Sequence, residues 1–382
     1  MKNNILFFAT FLMMMGVMVS CHKEDKVKTT DEWHTAVLEQ YVNHTIAPTY
    51  SNLANNAEQL VTDLQTLRAD KSQSNLNHAC ETFLTARAWW ERSEAFLFGA
   101  ASDFGIDPHI DSWPLDVDAF NTMMANTTQI QAMDAEDGDE YAGEKLGNSL
   151  LGFHGIEYIL FSNGAPKSVN EITDLQLIYA IAVAGDLRNR CFQLEVSWIG
   201  NAAPKAHRDK VDDLELNAMV NGGDFSYGDN LRKAGTLGST YPSSASGLMA
   251  IIDGCKTIAD EVGTSKIGKP YNGEDPNYIE SPYSHKSIED FYNNILSIEN
   301  AYYGGVEGQR YENNSLHGYI KSLNEDLDNR VAAAITNAKN KIHAMPAPFV
   351  QNYTSAANGD AIAACQALDD ILSEVNTLIS KQ

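Results

Sequence analysis

Residues 150–161 read LLGFHGIEYILF, and His154 and Glu157 are the only side chains in that run that titrate below neutral pH. A helix that is apolar on every side lies inside a protein, so the rest of the chain must wrap this segment. It must also supply partners for Glu157, because an unpaired buried carboxylate costs several kcal/mol or takes up a proton. His154 stands three residues before Glu157 and shares its helical face. Two arrangements satisfy that spacing. The side chains bond to each other or across the core, or both point at one ion. An imidazole nitrogen with a carboxylate oxygen suits zinc, iron or copper, and helical bundles build metal sites from Glu and His three apart. Two ligands do not complete a transition-metal shell, so the remaining donors must come from distant segments.

Helical spacing dominates the whole chain, and no run of alternating β-branched residues reads as a strand. The pattern predicts helices over 33–67 (kinked or split at Pro48), 76–98 with Gly99 as its stop, 115–124 after Pro114, 141–161, 169–198, 243–262, 287–303, 314–343 and 360–379. Residues 100–114, 134–139 and 263–282 read as loops. The stretch 200–247 is rich in Gly, Ser and Asn and reads as a boundary, with one short helix inside it over 209–220. The class is all-α, with two tandem helical bundles expected over 31–200 and 201–382. The halves echo each other faintly. Glu94 and Glu299 precede matching aromatic-Gly ends, and Phe153-His154-Gly155 resembles Leu316-His317-Gly318 with Ile320 in the place of Glu157.

The chain of 382 residues has 27 Lys and Arg against 51 Asp and Glu, a net charge of −24. Such a surface repels phosphate backbones, which argues against nucleic acid as a partner. It attracts cations weakly without specifying a site. Cys80, Cys191, Cys255 and Cys365 lie far apart in apolar helical contexts and form no C-x-x-C pair, so zinc ribbons and thioredoxin chemistry are disfavoured and buried free thiols are expected.

The first 20 residues read as a secretory signal: Lys2, then an apolar run from residue 5 to 19, then Ser20. That run is shorter than the ~20 residues of a spanning helix. Val19-Ser20-Cys21 resembles a bacterial lipobox, with Met18 where Leu is usual, and the resemblance implies cleavage before Cys21 and lipid on that residue. Residues 21–30 then form a polar tether, whose Lys23-Glu24-Asp25 resembles the surface-export signal of Bacteroidetes lipoproteins. The expected location is the bacterial envelope, lipid-anchored in the outer membrane on its periplasmic side or at the cell surface.

Further donors for His154 and Glu157 are sought in the 83–99 helix and the loop after it. Glu94 lies among aromatics in SEAFLFG and needs a partner as Glu157 does. Glu91, Asp103, His109 and Asp111 are near in sequence, but Glu91 with Arg87 reads as an ordinary helix-surface pair, and loop Asp residues commonly cap helices. HExxH is absent, Tyr158 replaces the His that HxxEH needs, and no Gly-x-Ser-x-Gly elbow occurs. Residues 235–238 are not followed by the Gly-Lys-Ser/Thr of a phosphate loop.

Gly152-Phe153-His154-Gly155-Ile156-Glu157 resembles the Gly-x-His-x-x-Glu signature of the imelysin-like family. ARAWWERSEAFLFGAASDFGIDPHIDSWP, residues 86–114, resembles that family's Arg/Trp-rich helix and Asp-x-Trp-Pro loop, and SIEDFYNNILSIENAYYG, residues 287–304, its C-terminal helix. The resemblance implies two helical bundles sharing a cleft and an envelope protein tied to iron uptake. It carries His154 and Glu157 over as metal ligands and places Glu94 beside them, with Asp111, Trp113 and Arg87 as cleft residues. It implies a metal ion, iron or zinc, or an iron-containing ligand as what is bound. Family members are also described as metallopeptidases, and an adaptor for an outer-membrane protein partner is a third reading.

Overall fold

The computed structural model describes residues 28–382; the signal segment, Cys21 and the tether as far as Val27 lie outside them. The long helices that place the site are α1 (Thr30–Tyr41), α2 (Ala47–Ala69), α3 (Gln73–Glu91), α4 (Gly152–Leu160), α5 (Asp174–Ile199), α6 (Ser244–Glu261), α7 (Ser287–Tyr303), α8 (Glu325–His343) and α9 (Ala356–Ile379). The class is all-α, and the β structure among the described residues is a two-residue hairpin, Phe161–Ser162 against Ala165–Pro166. Segments so short carry no alternation to read in the sequence. Helix α2 packs on both α3 and α5, with α4 against α3 and α5. Helix α9 packs on both α6 and α8, with α7 against α6 and α8. The two groups meet where α7 lies on α3, and α1 reaches across to α6. One contiguous cluster of buried apolar side chains runs through both. Among the described residues no helix is long and apolar enough to cross a membrane. The four cysteines from Cys80 on are buried and unpaired.

Local chemistry sets the helix ends. Thr29 and Thr173 open α1 and α5 with reciprocal capping boxes to Glu32 and Gln176, and Ser72 and Asn324 cap α3 and α8. These caps satisfy amides that have no partner inside the helix. The first long helical stretch is divided just before Pro48, into α1 and α2. The chain passes through a wide turn, Val42–Ile46, in which the Ala47 N–H reaches the Val42 carbonyl. Pro48 then falls in the first turn of α2, where its missing N–H is not needed.

Two expected helices are interrupted, and both breaks shape the site. The helix read over 76–98 stops at Glu91 and resumes as a single tight turn, Glu94–Phe96. The Ala95 N–H there donates to Ser297 Oγ of α7 at 3.0 Å, a partner no continuous helix would leave it free to meet. The helix read over 141–161 is broken: a helix over Gly138–Lys145 ends at Leu146, and α4 starts afresh at Gly152, whose φ of 69° lies in the left-handed region. A Cβ on Gly152 would sit 1.9 Å from the Ile110 carbonyl oxygen, and one on Gly155 would sit 2.2 Å from Tyr179 Oη. That hydroxyl donates to the Leu150 carbonyl at 2.6 Å and so pins the entry to α4.

These contacts predict that Gly152→Ala destabilises the protein by at least ~2 kcal/mol, since it combines left-handed strain with a backbone collision. Gly155→Ala should cost ~1–3 kcal/mol by disturbing the buried Tyr179 bond. Gly147→Ala, with φ −76° and nothing within 4 Å of the new Cβ, should stay within ~0.5 kcal/mol. Urea unfolding of the three variants measures the order.

Candidate metal centre

Helix α4 presents His154 to Asp111, with Nε2 3.1 Å from Oδ1, while Nδ1 lies 3.4 Å from Oε2 of Glu157 on the same helix. Asp111 ends the short helix Ile106–Ile110. Its other oxygen accepts the indole N–H of Trp90 at 2.7 Å, and its Oδ1 also accepts from Nη1 of Arg87. Trp113 packs beside His154, with ring centroids 5.9 Å apart. The structure thus brings five sequence-predicted residues, His154, Glu157, Asp111, Arg87 and Trp113, to one place.

The rest of the site comes from a segment that the sequence pattern presents as a connecting loop. Between α6 and α7 the chain forms a wide turn, Val262–Lys266, and a short helix, Gly268–Asn272, before reaching Glu280. Arg87 Nη2 donates to Glu280 Oε1 at 2.5 Å and lies 2.6 Å from Glu91 Oε1. Its Nε is 3.9 Å from Asp290 of α7. Lys266 Nζ is 3.2 Å from Glu280, 3.7 Å from Glu91 and 3.9 Å from Glu94. The Arg87–Glu91 pair is therefore no surface pair: both side chains are buried. Glu280, Lys266 and Asp290 have no helical periodicity around His154 that could have announced them.

Glu157 faces the same segment. Its Oε1 accepts the amides of Tyr283 (3.1 Å) and Ser284 (2.7 Å) and the Ser284 hydroxyl (2.7 Å). Ser281 and His285, on either side of that pair, hold positive φ values of 49° and 60°. Such conformations are costly for residues with a side chain and persist where the surroundings impose them. Glu94 is not in the donor set that contains His154; it lies within 4.8 Å of Glu91 and Asp111 and 3.9 Å from Lys266. Two other loop candidates are elsewhere: His109 pairs with Asp186 (2.7 Å), and Asp103 accepts the Tyr227 hydroxyl (2.7 Å). In the second half, Glu299 pairs with Lys339 at 2.5 Å and His317 with Asp328 at 2.7 Å.

Six buried carboxylates (Glu91, Glu94, Asp111, Glu157, Glu280, Asp290) thus surround three buried groups that can carry positive charge, Arg87, His154 and Lys266. The imbalance shows in their acidities. Burial works against ionised Asp111, but Arg87 and then His154 override it and hold the carboxyl well below its usual range. Burial would lower the His154 imidazolium, yet its bonds to Asp111 and Glu157 raise it to about 9. Burial pushes Glu280 up to about 7 against the pull of Lys266. Burial likewise raises Glu94 and Asp290 well above the carboxylate range. The cluster as it stands holds more acid than its own cations neutralise.

Two sets of donor atoms lie close enough to share an ion: Asp111, His154 and Glu280, and Glu91, Glu94 and Asp111, each set within 4.8 Å. The first joins one imidazole to two carboxylates, a donor set that suits iron or zinc. Its Glu280 carries a buried oxygen, Oε2, that accepts no hydrogen bond among the described residues. Buried acceptors are seldom left so, and an ion is one of the few things that satisfies them. Glu157 is the acceptor that turns Nδ1–H of His154 inward and leaves Nε2 to face the donors, the arrangement by which an outer carboxylate orients a ligating imidazole.

The acidities fix how stability follows pH without added metal. Glu280 and Asp107, the latter also raised to about 7 by burial and then by Asp111, hold a proton more tightly folded than unfolded. The stability they add below pH ~4 is lost as pH rises through ~7. His154 adds stability below pH ~6.5 that is lost as pH rises through ~9. All three act in one direction. Unfolding free energy measured in urea should fall by on the order of 1–3 kcal/mol between pH ~5 and ~9, and Glu280→Gln should flatten the lower half of that slope.

The imelysin family model, described as peptidase M75, matches residues 46–375. The chain is 26% identical over 332 residues to iron-regulated protein A of Synechococcus elongatus, covering 86% of this chain and 81% of that one. A crystal structure of an iron-regulated protein A precursor from Parabacteroides distasonis superposes with a TM-score of 0.78 at 27% identity, over 93% of this chain and 97% of the other. An imelysin-like protein from Psychrobacter arcticus shares the fold at a TM-score of 0.59 and 14% identity, over 93% and 95% of the two chains. The match spans α2 to α9, including the Gly-x-His-x-x-Glu helix and both segments that complete its surroundings, and by it this chain belongs to the imelysin family.

Proposed function

We propose that this protein binds a metal ion, iron or zinc, or an iron-containing ligand, through Asp111, His154 and Glu280, and that it serves iron uptake at the bacterial envelope, anchored by lipid on Cys21. The observation that carries the reading is the buried surplus of carboxylate around His154, with three donors of suitable type within 4.8 Å. A bound cation would take the place of the protons that burial now favours on Glu280 and its neighbours. The names of the relatives from Synechococcus elongatus and Parabacteroides distasonis associate them with iron regulation, which supports the choice of iron over other divalent ions.

The family description favours a second reading, a metallopeptidase. Such an enzyme needs a metal with an open position and a carboxylate base beside it. Glu157 is poorly suited to be that base, since Oε1 already accepts three hydrogen bonds and Oε2 faces His154. The third reading, an adaptor for an outer-membrane protein, finds no corresponding feature in the site.

Calorimetric titration with Fe(II), Zn(II) and Cu(II), with circular dichroism as the control for folding, tests the proposal. Wild type should bind at least one of these ions. His154→Ala and Asp111→Asn should weaken that binding by ~100-fold or more, and Glu157→Gln by ~10–100-fold, as loss of an orienting partner does. Equal and weak binding of every ion by wild type and His154→Ala overturns the reading. Cleavage of an unfolded polypeptide that a chelator abolishes would replace it with the peptidase.

A further inference from the structure

A cavity of about 670 Å³ lies against the far end of the cluster, between the segment 94–108 and α6. Four carboxylates line it: Glu94, Asp107, Asp253 and Glu261. No Lys, Arg or His is among its lining residues, and its apolar walls include Leu97, Phe98 and Ile258. Burial favours a proton on Glu94 and Asp107, so the less buried Asp253 and Glu261 supply the negative charge of the cleft, and a cleft of one charge sign with low-dielectric walls focuses its field and concentrates ions of the opposite sign.

Glu94 connects this cavity to the metal centre. It is only 6% exposed, yet its carboxylate accepts no hydrogen bond among the described residues, and the nearest cation is the Lys266 ammonium at 3.9 Å. A carboxylate so deeply buried ordinarily has donors around it. From Glu94 the donors continue inward in short steps. Glu91, Glu94 and Asp111 lie within 4.8 Å of one another, and so do Asp111, His154 and Glu280, with Asp111 common to both sets. Lys266 stands beside this path, its ammonium in contact with Glu94, Glu91 and Glu280.

We infer that the acidic cavity is the port by which a hydrated divalent cation enters, that Glu94 is the carboxylate it meets first, and that Lys266 is a tethered ammonium holding the inner carboxylates until the ion displaces it. The inference rests on the metal-binding reading and adds a route and an internal competitor to it. Burial raises Glu94 well above the carboxylate range, with Glu91, Asp107 and Glu261 adding to the shift and Lys266 opposing it, as expected of an acid short of cationic partners.

Stopped-flow mixing of the full folded protein with Co(II), followed by visible absorption and tryptophan fluorescence, tests it. Asp253→Asn/Glu261→Gln removes the two lining carboxylates that belong to neither donor set, and a urea unfolding midpoint controls for the bond that Asp253 accepts from Asn376. This double variant should slow association at least ~5-fold and flatten its dependence on salt, with the equilibrium affinity changed less than ~2-fold. Glu94→Gln should slow association further. Lys266→Met should tighten Co(II) binding, and Lys266→Arg should restore wild-type affinity, whereas a merely structural lysine would give weaker binding and a lower unfolding midpoint in Lys266→Met. Unchanged association rates in the double variant, together with normal His154-dependent binding at equilibrium, overturn the port and leave the metal centre standing. Absence of Co(II), Fe(II), Zn(II) and Cu(II) binding in wild type overturns both.

Discussion

The Arg87 guanidinium is the interaction on which the centre of this molecule depends. It is buried and touches Glu91 on its own helix, Asp111 after the short helices, Glu280 in the segment after α6 and Asp290 on α7. A buried charge is tolerable only with partners of opposite sign and good geometry. These four come from parts of the chain up to about two hundred residues apart. Arg87 thus fixes where α3, the Asp111 turn and α7 lie relative to each other. His154 finds Asp111 beside it because Arg87 and Trp90 already hold that carboxylate from two sides. An arginine suits the role better than a lysine, since its planar fork can meet several carboxylates at once and does not shed its proton when buried.

Ion pairs alone would not mark the place as functional, because other buried ones in this chain are self-contained. His207 meets Glu195 at 2.5 Å, and Asp186 faces both His109 and Arg190. Asp328 is satisfied by Tyr302 and His317. In each of these the carboxylate has at least one matching donor, and none of its own oxygens is left buried without a hydrogen bond among the described residues. Around Arg87 the carboxylates outnumber the cationic groups, and Glu280 Oε2 stays without a hydrogen bond. A structural network gains nothing from such a surplus, since apolar packing of similar volume would be as stable or more so. Retaining it makes physical sense where a further positive charge comes and goes.

Helix class and the His154–Glu157 pair were legible in the sequence because each is a local signal. Apolar spacing marks a helix whatever it packs on, and two titrating groups stand out in an otherwise oily segment. Asp111, Trp113 and Arg87 became legible through the motifs around them. Glu280, Lys266 and Asp290 were not. They lie more than a hundred residues from His154, and the first two sit in a stretch whose Gly and Pro content reads as a connection. What makes them part of the site is a turn with non-glycine residues in the left-handed region, and such a turn has no periodic signature. The helix boundaries were missed for a related reason: α3 ends and α4 begins where tertiary partners, Ser297 for the Ala95 amide and Ile110 against Gly152, override a pattern that continues past them.

The division of labour between the two signature residues follows from where their bonds go. Glu157 accepts three hydrogen bonds on one oxygen from the segment after α6 and faces His154 with the other. A carboxylate so engaged has little capacity left for an ion, but it couples two things that would otherwise be independent: the orientation of the imidazole and the position of the segment that carries Glu280. If Tyr283 and Ser284 moved away, His154 would lose its orienting acceptor's support while Glu280 left the donor set. The glycines of the signature serve the same end from the other side, letting α4 press against Ile110 and Tyr179 until His154 comes within reach of Asp111. The Gly-x-His-x-x-Glu pattern therefore encodes a buried imidazole, the carboxylate that holds it and the close packing that aims both, and leaves the other acids around His154 to parts of the chain that the motif does not mention.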